Sequence, residues 1–185
     1  MQDAALYYEQ VSGERSTIVQ QLGLKNFILA TIHRAENTDN IDNLRSIVAA
    51  FNEINRHIQV VVPIHPRTAK IISKEGISCD FTMIDPVGYL DMVQLLKHCS
   101  LVMTDSGGLQ KEAFFFKKHC VTLREQTEWV ELVEHGFNTI AGTNTKNIVD
   151  AYSSMINKES DFAVDLYGNG KASSVIAAAI EKHLS

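Results

Sequence analysis

The chain has 185 residues, of which 45% are apolar and 21% charged, and its formal net charge is −5 at pH 7. It has no run of about eighteen apolar residues, which a membrane-spanning helix needs, and its opening residues lack the basic segment of a secretory signal. An acidic chain also lacks the clustered Lys and Arg of a nucleic-acid-binding surface. The remaining classes are a small enzyme, half of a larger enzyme, and a small-ligand-binding domain.

The three cysteines, Cys79, Cys99 and Cys120, are odd in number and far apart in the sequence. Their spacing is typical of neither a disulfide framework nor a metal site. We therefore expect reduced, mostly buried thiols in a cytoplasmic protein, and no bound metal.

Along the chain, a polar, helix-prone opening over residues 4–22 is followed by short apolar runs that alternate with longer helical patterns. The apolar runs, rich in Val, Ile and Thr, predict strands at 26–32, 58–64, 81–84, 101–104, 120–123 and 139–141. Helices are predicted at 42–56, 66–74, 89–99, 109–117, 128–134, 145–157 and 171–183, several of them with apolar residues spaced by three and four.

This alternation predicts right-handed βαβ units, and therefore an α/β fold with a doubly wound parallel sheet of about six strands. The strands are almost continuously apolar, as expected when helices cover both faces of the sheet. The sequence contains no repeat, low-complexity stretch or Gly/Pro/Ser linker, so we expect one domain. The opening helix belongs to none of the βαβ units.

Four loops that follow predicted strands are rich in polar residues: 33–37, 65–68, 105–108 and 124–128. Ligands of open parallel sheets bind outside the carboxyl ends of the strands, on the loops that lead into helices. The convergence of these four loops at one edge is the main functional signal of the sequence.

The loop with Ser106, Gly107 and Gly108 is the most informative of the four. Two glycines at a strand-to-helix turn let a ligand approach the backbone, and the helix offers free N–H groups and the positive end of its dipole. This combination suits a phosphate or diphosphate, and Glu112, in the first turns of the helix, is placed to bind sugar hydroxyls. The alternative, of equal weight for this loop alone, is a tight turn with Ser106 as helix N-cap.

The pair His33-Arg34 follows a buried strand and can neutralise a phosphate leaving group, with Arg34 offering a bidentate fork. The alternative is a surface loop that caps the next helix; the position beside the Gly-Gly loop favours the anion site. His65 is either a second anion-facing residue or the start of a helix whose Pro66 fits the first position, and the two interpretations stay equal.

The loop with Arg124, Thr127 and Glu128 offers a further cation and a hydroxyl-binding carboxylate, or forms a polar connection only. Residues 168–173 look like the start of a dinucleotide fingerprint, but no strand precedes them and the third Gly is absent. Trp129 and the run 114–116 are interpreted as packing residues.

The motifs ATIHRAEN, PIHPRT, IDPVGYLDM, TDSGGLQKEA, LREQTEWVE and YGNGKAS follow one another in this order. As a set, from about residue 3 to the end, they resemble the non-hydrolysing UDP-N-acetylglucosamine 2-epimerases, and more narrowly the carboxyl-terminal half of that family. The resemblance implies one of the two Rossmann-like domains of a GT-B-type fold. Residues 1–22 then follow the interdomain connection, and 23–185 form the UDP-binding domain. The resemblance also implies that the amino-terminal domain, which carries the proton-transferring carboxylates of the family, lies outside this chain.

The resemblance also implies the reaction. UDP-GlcNAc and UDP-ManNAc are interconverted at C2 of the sugar by elimination of UDP and its re-addition, with no cofactor, in polysaccharide biosynthesis. The implied partners are UDP, UDP-GlcNAc, the missing domain and, at full length, a second copy in a homodimer. The fragment alone is expected to be inactive. The alternative function is the nucleotide-sugar-binding subunit of a split GT-B glycosyltransferase.

By motif, the resemblance makes His33 the catalytic histidine beside the diphosphate and Arg34 its companion cation. The other residues matched to substrate binding are Ser106, Gly107 and Gly108 at the diphosphate, Glu112 at the ribose, Met92 at the uracil edge, and His65, Arg124, Thr127 and Glu128. The sequence departs from the family pattern in three places: around His65, at 127–131, and at Lys111 and Asn169, where an acid is usual. In some members the histidine that corresponds to His65 contacts a regulatory UDP-GlcNAc.

Overall fold

The computed structural model describes residues 1–168 and 170–184, and this part of the chain forms one parallel sheet with helices on both faces. Its strands are β1 (Phe27–Thr31), β2 (Gln59–Pro63), β3 (Thr82–Ile84), β4 (Leu101–Thr104), β5 (Cys120–Thr122) and β6 (Asn138–Ile140). Their order in the sheet is β3-β2-β1-β4-β5-β6, and all neighbours are parallel. This order is that of the doubly wound Rossmann fold, so the predicted fold class is confirmed.

The helices largely follow the predicted alternation. They are α1 (Gln2–Arg15), α2 (Ile18–Gln21), α3 (Ala35–Thr38), α4 (Ile41–Asn55), α5 (Pro66–Lys74), α6 (Tyr89–His98), α7 (Gly107–Phe115), α8 (Val130–Glu134), α9 (Thr145–Met155) and α10 (Ala172–Leu184). The prediction of one opening helix over 4–22 is wrong, because the chain becomes extended at Ser16, whose hydroxyl donates to Asp91 at 2.6 Å. The short α3 was not predicted, α8 begins at Val130 rather than residue 128, and Asn169 lies outside the described residues.

Side-chain alternation along the strands explains why they are apolar throughout. In β1, Ile28 and Ala30 pack in one core with α4 and α9, whereas Phe27 and Leu29 pack in the other with α6 and α7. All four side chains are fully buried. Because successive residues of a strand point to opposite faces, a sheet covered on both sides needs apolar residues at every position.

The register of the central strands determines which loops meet. Thr31 of β1 pairs with Thr104 of β4, and their hydroxyls lie 2.6 Å apart. The two strands therefore end level with each other, and the residues that follow them, His33 and Asp105, come into contact.

A smaller aromatic cluster lies at one end of the sheet. Phe114 and Phe137 are buried there, with Trp129 and Tyr167 packed against them, which confirms the packing role predicted for Trp129 and for Phe114. Helix α10 has no buried residue, and the Asp3 carboxylate of α1 accepts from the Ser173 N–H in its first turn at 3.4 Å.

The three cysteines are free thiols, two of them buried and Cys79 half-buried, as predicted. Within residues 1–168 and 170–184, no helix combines the length and apolar character needed to cross a membrane.

Candidate functional site

A cavity of about 340 Å³ opens at the carboxyl edge of the sheet, where the loops after β1, β2, β3 and β4 meet. Six residues predicted for the site line it: His33, His65, Met92, Ser106, Gly108 and Glu112. Val87 and Met1 line it too.

The Ser106–Gly108 turn begins helix α7 on one wall of this cavity. The Ser106 hydroxyl accepts from the Leu109 N–H at 3.3 Å, so Ser106 is the helix N-cap, as the alternative interpretation predicted. This role is compatible with anion binding, because the N–H groups of Gly107 and Gly108 come first in the helix and so lack intrahelical acceptors. The turn thus keeps two donors and the positive end of α7 for a ligand.

The two glycines differ in what lies beside them. A Cβ atom on Gly108 meets nothing nearer than 3.9 Å, and this residue lines the cavity. A Cβ atom on Gly107 lies 3.3 Å from Glu128 Oε2 and 3.7 Å from Trp129 Nε1, on the side of the β5–α8 loop. The missing side chain of Gly108 therefore leaves space for a ligand in the cavity, whereas that of Gly107 leaves space for the side chains of Glu128 and Trp129.

Asp105 organises the loop that carries the catalytic candidate. It is fully buried, and its carboxylate accepts from His33 Nδ1–H at 2.9 Å, from the backbone N–H groups of His33 and Arg34 at 3.1 and 3.0 Å, and from Asn37 Nδ2 at 3.1 Å. No motif in the sequence assigns Asp105 a role of its own. The sequence does show an acidic residue directly after a buried strand. A buried carboxylate needs hydrogen-bond donors around it, so this position could have indicated a residue that binds the neighbouring loop.

This arrangement shifts the pKa of both His33 and Asp105. The hydrogen bond to Asp105 raises the pKa of His33 above 6.5, although partial burial and the Arg34 charge act in the opposite direction. Burial by itself raises the pKa of Asp105, but the hydrogen bonds from His33 and the His33–Arg34 backbone outweigh it, and the pKa falls below 3.8. Asp105 thus holds His33 Nδ1 and shifts the imidazole towards its cationic form.

A second carboxylate, Glu112, lies one turn further along α7 and also lines the cavity. The Tyr89 hydroxyl donates to Glu112 Oε1 at 3.1 Å. Burial raises the pKa of Glu112, and this hydrogen bond counteracts the rise. Burial and the Glu112 charge in turn raise the pKa of Tyr89 to about 12, so Tyr89, which the sequence analysis missed, stays a donor.

The structure confirms His65 as a helix start and also places it in the cavity lining, whereas its anion-facing role stays a prediction. Its Nδ1 accepts from the Arg67 N–H at 3.2 Å, which makes it the N-cap of α5, and its side chain lines the cavity. The Arg67 guanidinium is paired with Asp39 at 2.6 Å, away from the lining residues.

The remaining predicted residues form a group beside the cavity rather than in its wall. The buried Arg124 donates through Nη1 to both Glu128 carboxylate oxygens at 3.0 and 2.8 Å, and Arg34 Nη2 lies 3.5 Å from Glu128 Oε1. The hydrogen bond from Arg124 lowers the pKa of Glu128. Arg124 borders a separate polar cavity of about 290 Å³, and the Thr127 hydroxyl donates to Gln110 at 2.6 Å.

A Rossmann-type sheet, with a cavity at its carboxyl edge and a glycine-led helix N-terminus in the wall, is the architecture typical of nucleotide-binding α/β domains. The chain belongs to the UDP-N-acetylglucosamine 2-epimerase family, whose sequence model matches residues 1–181. The predicted family is thus confirmed.

Two relatives and one solved structure place the chain within the family. It is 49% identical to the UDP-2,3-diacetamido-2,3-dideoxy-D-glucuronate 2-epimerase of Pseudomonas aeruginosa, over 98% of this chain and 51% of the relative. It is 44% identical to a UDP-N-acetylglucosamine 2-epimerase homolog of Methanococcus maripaludis, over 80% of this chain and 43% of the relative. The crystal structure of the Methanocaldococcus jannaschii UDP-GlcNAc 2-epimerase with UDP-GlcNAc and UDP superposes with a TM-score of 0.86 at 34% identity, over 98% of this chain and 52% of that one.

The chain therefore spans about half the length of the curated relatives it matches. A glycosyltransferase involved in lipopolysaccharide biosynthesis, at 13% identity and a TM-score of 0.56, shares the fold alone.

Proposed function

We propose that this chain is the UDP-binding half of a UDP-sugar 2-epimerase that interconverts UDP-GlcNAc and UDP-ManNAc. The observation that carries the proposal is the placement of His33, with its raised pKa, in the same cavity as the first turn of α7. A cation and free backbone N–H groups are what a departing diphosphate needs. The UDP-GlcNAc and UDP bound to the Methanocaldococcus jannaschii structure support the same ligand.

Each wall of the cavity has a proposed part of the ligand. The N–H groups of Gly107 and Gly108 and the Ser106 side chain bind the diphosphate, and Glu112 accepts from the ribose hydroxyls. Met92, with the backbone from residue 87 onward, contacts the uracil. His33 stabilises the negative charge that grows on UDP as its bond to the sugar breaks, and Arg34, the next residue in the same loop, adds a permanent cation.

Epimerisation at C2 also needs a group that removes a proton from carbon. We place that group in the part of the full-length protein that this chain does not include, since the relatives are about twice as long. General acid–base catalysis contributes about 10²–10⁴-fold, so we expect the isolated chain to bind UDP and not to epimerise. The homodimer and the cytoplasmic location stay predictions for the full-length protein.

A second substrate is proposed because of the 49% identity to the Pseudomonas aeruginosa enzyme. The name of that relative specifies a UDP-linked 2,3-diacetamido uronic acid, which shares UDP with UDP-GlcNAc and differs in the sugar. The cavity described here is assigned to UDP, so both substrates are compatible with it. The split-glycosyltransferase alternative has support from the fold alone.

Calorimetric titration of the 185-residue chain tests the binding function. We expect UDP to bind more tightly than uridine, because the diphosphate contacts the α7 turn and His33. Equal affinities for UDP and uridine, or no UDP binding at millimolar concentration, would refute the proposal. With the full-length protein in deuterated buffer, NMR detection of solvent exchange at C2 of UDP-GlcNAc or of the diacetamido uronate identifies the substrate.

A further inference from the structure

The β5–α8 loop holds the α7 turn on the side of Gly107, with residues that do not line the cavity. The indole N–H of Trp129 donates to the Gly107 carbonyl at 2.6 Å. The Thr127 hydroxyl donates to the buried side-chain oxygen of Gln110 at 2.6 Å, and the amide nitrogen of Gln110 donates to the Ser106 carbonyl at 3.2 Å. The carbonyl groups of Ser106 and Gly107 therefore accept hydrogen bonds from side chains that do not line the cavity.

These contacts fix the direction of the backbone donors. A peptide unit is planar, so its C=O and its N–H point in opposite directions and rotate together. The Ser106 carbonyl shares a peptide unit with the Gly107 N–H, and the Gly107 carbonyl shares one with the Gly108 N–H. Gln110 thus orients the first donor and Trp129 the second, in a segment whose two glycines have unusual backbone freedom.

Trp129 is itself held firmly in place. Its ring is contacted by the Lys111 ammonium, 4.0 Å from the ring centroid, and that ammonium also lies 4.1 Å from the ring of Tyr167. Such cation–π contacts stabilise the orientation of the indole. A hydrogen bond accepted by a peptide carbonyl also polarises the N–H of the same unit and makes it a better donor.

We propose that Trp129 is a positioning residue for a nucleoside diphosphate, acting through the Gly107–Gly108 peptide, and that its fluorescence reports occupation of the cavity by the diphosphate. The proposal rests on the proposed function, because it presumes that the α7 turn binds the diphosphate of UDP. It assigns the indole no contact with the ligand. Because Trp129 is the single Trp of the chain, all Trp fluorescence comes from the indole that donates to the Gly107 carbonyl.

The test compares Trp129→Phe with Tyr167→Phe. The first variant keeps an aromatic ring against Lys111 and removes the N–H donor; the second removes the Tyr167 hydroxyl, which donates to Glu131, and leaves the turn untouched. UDP and uridine affinities are measured by calorimetry, and the ¹⁵N order parameters of Gly107 and Gly108 by NMR without ligand. We expect Trp129→Phe to weaken UDP binding about fivefold, to lower the order parameter of Gly108, and to leave uridine binding unchanged.

The outcomes separate this role from a merely structural one. Equal UDP affinities of the two variants, or a parallel loss of UDP and uridine binding by Trp129→Phe, would overturn the positioning role. In the parent chain UDP should change the Trp emission and uridine should not; an emission unaffected by saturating UDP would also count against it. Failure of the parent chain to bind UDP would instead refute the proposed function.

Discussion

Replacing Gly108 with Ala should move stability and ligand affinity in opposite directions. The added methyl group has no protein atom within 3.9 Å, so the fold accommodates it without a clash. Ala is a better helix former than Gly by about 0.5–1 kcal/mol. For a domain of this size that gain corresponds to a rise in Tm of about 1–4 °C.

The same methyl group enters the cavity in front of the diphosphate-binding turn, because Gly108 is one of its lining residues. Forcing an extra methyl into a fitted site costs about 1–2 kcal/mol, which weakens UDP binding about 5- to 30-fold. The bulkier Gly108→Val should weaken it further while leaving the fold intact.

The matched control is Gly13→Ala in the exposed part of α1, where an added Cβ atom has nothing within 4 Å. It should give a similar stability gain with UDP affinity unchanged. Thermal unfolding followed by circular dichroism measures the stability, and calorimetric UDP titration measures the affinity, of the parent and the three variants. If Gly108→Ala is more stable than the parent and binds UDP equally well, the assignment of the diphosphate to this turn is wrong.

The remaining predictions concern ionisation. Asp105→Asn should lower the pKa of His33, and saturating UDP should raise that pKa in the parent; histidine NMR titrations measure both changes. If neither changes the titration of His33, the assignment of His33 to the diphosphate is contradicted. The pKa of Asp105 in the folded protein lies below 3.8, so its charged contacts stabilise the fold above pH 3.8 and lose this effect as the pH falls through the depressed pKa. Asp105→Asn should therefore destabilise the protein by about 2–4 kcal/mol at pH 7 and by less at pH 3. Urea unfolding at the two pH values measures the difference. Tyr89→Phe removes the hydrogen bond that restrains the raised pKa of Glu112, so its UDP affinity should fall more steeply than that of the parent between pH 7 and 5. Equal pH profiles would argue against a role of Glu112 at the ribose.

Much of the fold could be predicted from the sequence, because the signals involved are local. Near-continuous apolar runs and helical spacing predict the βαβ alternation, and doubly wound topology follows from the handedness of these units. The same alternation places the loops after β1, β2 and β4 at one edge, so the sequence alone predicts that His33, His65 and Ser106 lie near one another. The break of the opening helix at Ser16 was not predictable, since it depends on a partner, Asp91, 75 residues away.

The partners of the site residues were decided only by the tertiary structure. No local pattern distinguishes the two glycines, but packing leaves Gly108 open to the cavity and fills the space beside Gly107 with Glu128 and Trp129. Likewise, the sequence shows Asp105 only as one residue of a polar loop. The register of β1 and β4 is what buries it fully and places its carboxylate against His33. Sequence patterns report which face and which edge a residue occupies, because these follow from backbone periodicity. Hydrogen-bond partners depend on distances between segments that are far apart along the chain, and only the assembled sheet determines those distances.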